Sequence, residues 1–335
     1  MAGRERVLYV GTVNGLYEAR AEGTQYAARS LGLEGKGPVT PLVDRADPRR
    51  LYAGTGRGGM YRSLDGGQSW QEINEGIIYK EIWSLAQHPA TGELYAGTGP
   101  SSVFKSVDGG DTWLDCEQLR TLPETKEWTF PNPPHISHVK HLALRADDPA
   151  FILGAVEEGW IIRSTDGGAT WQNVKDGVDF DAHSVTIMPD DPAVVIATGG
   201  DGLFRSTDSG LHFAAVEEGL DRRYLAQVVV HPARPQVLFT AAAAVPPPLW
   251  RRPEGADGAF YRSEDQGRSW TRLTGGLPAH LYAAPRAVAG DPADPDAVFV
   301  GMSDGTVWLS EDGGESFRPI LGGLPAIRSL CVAPR

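Results

Sequence analysis

Cysteine is nearly absent: Cys116 and Cys331 are the only two in 335 residues. That excludes a disulfide framework and fits a reducing compartment. No run reaches the roughly 18 consecutive apolar residues of a membrane-spanning helix, and the opening "MAGRERVLYVGT" lacks the charged, apolar and small-residue succession of a secretory signal. A cytoplasmic protein with no membrane attachment is the expectation. Basic residues are outnumbered, 31 against 43 acidic ones, for a net charge of -12. Nucleic acid is therefore excluded as a partner, because its phosphates demand clustered Lys and Arg, and charge alone favours a cationic or neutral ligand.

What the chain has instead is repetition. One phrase recurs six times: "SLDGGQSW" from Ser63, "SVDGGDTW" from Ser106, "STDGGATW" from Ser164, "STDSGLHF" from Ser206, "SEDQGRSW" from Ser263 and "SEDGGESF" from Ser310. The starts lie 43, 58, 42, 57 and 47 residues apart, the period of propeller blades. Two short apolar strands joined by a Gly-rich turn precede most copies, as in "LYAGT" and "MYR", and a further apolar run ending near proline lies upstream, as in "WSLAQHP" and "VTIMPDDP". Each unit thus reads as strands A, B and C, the Asp phrase as a tight turn, then strand D. In that turn Asp65 accepts backbone N–H groups, the Ser63 hydroxyl joins the network, Gly67 takes a positive φ and Trp70 covers the turn. Six such carboxylates, one per unit, are scaffold rather than catalytic acids or calcium ligands.

The phrase resembles the Ser-x-Asp-x-Gly-x-x-Trp motif of the BNR or Asp-box repeat family, with Phe213 and Phe317 in the aromatic place of two copies. That family includes sialidases, xyloglucan-active glycosidases, sortilin-type receptors and a photosystem assembly factor. The resemblance implies a β-propeller and leaves function open. Seven blades are expected from the ends. "VLYVGTVNGLYEAR" is a B and C pair with no A strand before it, and "IRSLCVAP" is an A strand with nothing after it. The expectation is an all-β, single-domain, seven-bladed propeller over residues 1–335, its four-stranded antiparallel blades closed by the C-terminal strand joining the N-terminal blade, which removes exposed sheet edges.

The two long intervals contain insertions, 114–137 before strand A of blade 3 and 241–259 between strands B and C of blade 5. Both fall on the face where the D–A and B–C loops meet, and their aromatics Trp128 and Trp250 are expected to wall the axial opening. Alignment of the A strands places Glu81, His138, Asp181 and Tyr224 in one row, and Trp83, Lys140, His183 and Arg328 in a second row on the same face. A third row, Ser84, His141, Ser184, Gln227 and Ser329, is polar throughout and is expected to line the axial channel. Lys36, Lys80, Arg223, His280, Tyr282 and Arg286 precede or enter neighbouring A strands and complete the candidate ligand-binding set.

Several chemistries fit these rows. Zinc, copper or iron on His138, His141 and His183 is one, although alternation separates His138 from His141 and no tight ligand motif such as His-Glu-x-x-His is present. Acid–base chemistry is another, with His138 or His183 as base, Glu81 or Asp181 assisting, Tyr224 nearby, and Lys140, Arg223 or Arg328 holding an anion. A water-filled polar channel is the third. The reading taken forward is binding of a small polar or anionic ligand in a top-face axial pocket, with histidine-centred or metal-assisted catalysis left open. The alternatives are a protein-binding assembly scaffold and a sialidase-like glycosidase. Against the last, the sialidase Arg-Ile-Pro segment is missing, and the xyloglucan-active relatives use two propellers with a cleft between them.

Overall fold

The computed structural model describes residues 6–334; residues 1–5 and 335 of the expected domain lie outside it. Seven antiparallel sheets form a ring, and adjacent inner strands touch one another around the axis. The inner strands are Val39–Val43 in blade 1, Glu81–Gln87 in blade 2, His138–Leu144 in blade 3 and Ala182–Ile187 in blade 4. Blade 5 has a split inner strand, Tyr224–Leu225 and Val229–Val230, and blade 6 has Pro285–Asp291. Blade 7 is the closing blade: Ile327–Val332 pairs with Val7–Thr12, which continues into Gly15–Glu22 and Gln25–Ser30. The expected seven-bladed propeller, closed by its C-terminal strand, is what the chain forms.

The core lies in layers between blades rather than at one centre. Tyr52, Met60 and Ile73 of blade 1 pack against Ile82, Leu94 and Phe104 of blade 2. The closing blade gives Leu8, Val10, Ile327 and Leu330 to a layer shared with Phe299 of blade 6. At the closing seam the backbones approach so closely that a Cβ on Gly11 would lie 2.1 Å from the Val39 carbonyl oxygen, so only glycine fits. On the opposite side of the closing blade Arg6 adds a charged clasp, pairing with the fully buried Asp291 at 3.1 Å and with Asp294 and Glu311 of blade 6.

The Asp turns have the expected form. Ser63 donates to Asp65 Oδ1 at 2.7 Å, Gly67 N–H donates to Ser63 Oγ at 2.8 Å, and Asp65 receives the Ser69 amide at 3.0 Å and hydroxyl at 2.6 Å. Gly67 has φ 85°. The hydroxyl and amide donors hold the Asp65 carboxyl down to about 2. The indole N–H of Trp113 donates to the Ile73 carbonyl at 3.0 Å, and that of Trp70 to Leu31 at 2.8 Å, so each aromatic also ties its blade to the preceding one.

The third, polar row serves the scaffold more than the channel. Ser84 donates to the Val139 carbonyl at 2.8 Å, Gln227 to Val288 at 2.8 Å and Ser329 to Val39 at 2.8 Å, each crossing to the next inner strand. Ser184 pairs with Thr198 at 2.8 Å. Packed inner strands leave carbonyls with no ladder partner, and these side chains supply one. His141 and Gln227 do border the axial cavity.

Both insertions are shorter than the sequence suggests. Leu114–Asp115 is strand D of blade 2, and Leu238–Ala243 and Ala259–Ser263 are strands of blade 5, so the irregular segments are 116–137 and 244–258. The first contains short 3-10 turns at Glu117–Thr121 and Pro123–Lys126. Its Leu119, Leu122 and Trp128 pack against Tyr95, Val139 and Val156, extending the layer between blades 2 and 3.

Candidate functional site

The tops of five inner strands carry the same irregularity. The ladder skips one residue at Trp83, at Lys140, at His183, at Arg286 and at Arg328. A bulge of this kind re-aims the extra side chain and the one after it. Strict alternation would put Lys140 and His141 on opposite faces, yet both border one axial cavity. The bulge is the reason that Lys140 joins His141 at the cavity while His138, which alternation groups with Lys140, stays apart from both.

The cavity has a volume of about 110 Å³, with Trp83, His183, Tyr224, Arg286 and Arg328 among its walls. An outer vestibule of about 320 Å³ shares Trp83, Tyr224, Arg286 and Arg328 with it, and adds Phe130, Glu157 and Trp250. The two insertions thus contribute Phe130 and Trp250 to the mouth. Trp128 is 8% exposed, donates to Asn173 Oδ1 at 3.3 Å and faces the core instead.

Glu157 organises one side. Its Oε2 lies 2.6 Å from His138 Nε2 and 2.9 Å from Lys140 Nζ. Burial alone would raise its pKa, but Lys140 and His138 hold it well below the ordinary carboxylate range. His138 is 1% exposed and lies flat against Trp83 at 3.4 Å between ring centroids, with Phe130 edge-on at 4.9 Å. Burial lowers its pKa. It props Trp83 and Glu157 from behind and does not border the cavity. Glu81 accepts the Trp83 indole N–H at 3.1 Å, and burial raises its pKa.

On the other side, His183 Nδ1 is 2.7 Å from the Leu225 carbonyl of the next blade, and its Nε2 is 3.3 Å from Asp181 Oδ2. Tyr224 meets the His183 ring edge-on at 4.5 Å and Trp250 at 5.8 Å, and burial raises the Tyr224 pKa strongly. The Arg286 guanidinium lies 5.0 Å above the Trp250 ring, and that of Arg328 lies 5.5 Å above Trp83. Among the described residues neither guanidinium has an ion pair or a hydrogen bond. Burial, and then the neighbouring Arg286, push the Arg328 pKa down to about 9.

The remaining candidates lie elsewhere. Lys36 reaches toward the Tyr61 ring and Lys80 pairs with Glu72. Arg223 is exposed beside Asp201 and Glu217. His280 is held by the Glu254 carbonyl and by Asp257, and Tyr282 is 64% exposed outside the cavity. The structure does not gather His138, His141 and His183 as one ligand set; the group it does gather is Glu157, Asp181 and His183. Glu157 escaped the sequence reading, though a signal was there. It ends strand B of blade 3 opposite His138, at the position held by Gly99 in blade 2 and Gly200 in blade 4.

His141 carries no partner on Nδ1, and burial lowers its pKa to about 4. The unfolded chain therefore takes up that proton first. Stability from this group is fully present above about pH 6.5 and declines as pH falls toward 4, by up to about 3 kcal/mol. Urea unfolding at pH 7 and pH 4.5 should show a smaller difference for His141→Gln than for the parent.

No family model matches the chain. A xyloglucanase from a Paenibacillus species is 28% identical over 153 residues, which are 43% of this chain and 14% of that protein. The GH74 xyloglucanase from Xanthomonas campestris superposes with a TM-score of 0.71 at 19% identity, covering 98% of this chain and 52% of its own. YCF48 bound to D1 peptide superposes with a TM-score of 0.54 at 16% identity over 86% of this chain and 85% of that one. The chain spans about half of the Xanthomonas enzyme and a much smaller part of the Paenibacillus one. What these likenesses have in common with this chain is the β-propeller itself.

Proposed function

We propose that this propeller binds a small anionic molecule, carrying a carboxylate or a phosphate, in the axial mouth beneath its two insertions, in the cytoplasm. The single observation that carries the reading is the pair of guanidiniums, Arg286 and Arg328, each laid over an indole and neither matched by an acid. Two like charges held partly buried repel each other and have lost hydration, so an oxyanion between them recovers both losses. Lys140 is already matched by Glu157. The vestibule, about 320 Å³, lies in the roughly 300–1,000 Å³ range of small-ligand sites. Polysaccharide hydrolysis, named for the xyloglucanase neighbours, is less well supported, because the candidate site is a walled axial opening of about 320 Å³.

Trp83 and Trp250 report on the site directly. Citrate, inorganic phosphate and a hexose phosphate should change tryptophan emission saturably, and neutral xyloglucan oligosaccharides should not. Arg286→Gln should weaken the anion at least about 30-fold, the low end for removing one partner of a desolvated charge pair. Saturable binding of the neutral oligosaccharides without any response to anions would sink the reading.

A further inference from the structure

His183 Nδ1 faces the Leu225 carbonyl at 2.7 Å. A carbonyl only accepts, so Nδ1 donates to it and Nε2 is the ring atom turned to the mouth. Nε2 lies 3.3 Å from Asp181 Oδ2 without forming a hydrogen bond, and Asp181 Oδ1 is also buried without a partner. The His183 side chain is only 4% exposed. Glu157 brings a third donor, and one ligand atom from each residue lies within 4.8 Å of the others. His138 and Lys140 already occupy Glu157 Oε2, which leaves Oε1 for another cation.

From this arrangement we propose that Glu157, Asp181 and His183 form a binding site for one divalent first-row metal ion at the axial mouth. An imidazole with its far nitrogen fixed by a backbone carbonyl is the usual way a histidine ligand is oriented. One nitrogen and two carboxylate oxygens suit zinc, manganese or ferrous iron, whereas calcium and magnesium prefer oxygen alone. His138 steadies the Glu157 carboxylate rather than ligating. This site goes beyond the anion reading and stands or falls separately, since neither Arg286 nor Arg328 contributes a ligand. Were both correct, ion and guanidiniums would face one vestibule.

The test is titration of chelator-stripped full-length protein with cobalt(II), zinc(II) and manganese(II) by calorimetry, with cobalt also followed by its visible absorption. The expected result is one ion per chain at micromolar affinity or tighter. Asp181→Asn and His183→Gln should each weaken it by at least about 100-fold, more than the 10- to 100-fold typical of residues that merely support a ligand. Lys80→Gln, which lies outside the mouth beside Glu72, should leave it unchanged, and zinc should raise the parent melting temperature but not that of the two variants. Absence of one-to-one binding by all three ions overturns the proposal, as does binding that survives both substitutions, which would assign the ion to surface groups such as His212 and Asp208. Glu157→Gln, which keeps the shape of the side chain, covers the case in which a His183 variant fails to fold.

Discussion

Arg328→Met is expected to melt at a higher temperature than the parent when no anion is present, and to lose the parent's stabilisation by anions. Arg328 sits partly buried over Trp83, beside a second guanidinium and without an acid partner. Methionine keeps most of the apolar stem that covers the indole and removes the charge. Replacing buried ionic groups with apolar ones of similar volume stabilises by about 1–4 kcal/mol where the charge is poorly matched. In a chain this large that means several degrees, judging by about 2–4 °C per kcal/mol for somewhat smaller domains. Saturating anion should raise the parent melting temperature and leave the variant where it was. A variant that melts lower than the parent, in anion or out of it, would mean that the guanidinium holds the scaffold and that its charge is not waiting for a ligand.

The largest loss should follow from removing residues 327–334. Those residues supply the inner strand of the closing blade, which pairs with Val7–Thr12, and bring Ile327, Leu330 and Val332 into the layer with Phe299. Without them Val7–Thr12 has one unpaired edge and the layer with blade 6 is half empty, the condition that leads to strand-to-strand aggregation. The truncated chain should show no cooperative melting transition and should accumulate as aggregate. A synthetic peptide of residues 325–334 added during refolding should restore the transition, because an isolated strand can complete a sheet edge. A soluble truncated protein melting like the parent would show that closure contributes little.

The ring was legible because the sequence states its unit six times, and comparison of "SLDGGQSW" with "SEDGGESF" separates constant turn chemistry from variable surface. Both ends were legible for the same reason, each being an incomplete unit. The site was readable only in part. Trp83, Lys140, His183, Tyr224, Arg286 and Arg328 come together at the axis as a group, yet the one-residue bulges that aim them leave no mark in residue type, so alternation misassigned the polar row. Lys80, Arg223 and Tyr282 stand close to strand tops along the chain, but chain proximity does not say whether a side chain turns to the axis or to the rim. Net charge does not describe the mouth: -12 over the whole chain coexists with two guanidiniums there that form no ion pair among the described residues, because a global sum carries no information about position.

The recurring bulge separates two tasks that most folds make one residue perform. A bulged residue has no partner in its ladder, so exchanging it changes what the opening presents without breaking a backbone bond of the blade. Positions 83, 140, 183, 286 and 328 thus behave as interchangeable sockets on a fixed frame. Proteins with this frame can come to take unlike ligands by point substitution at a few sockets, and swapping the five residues between two such propellers should move the preference for a ligand along with them.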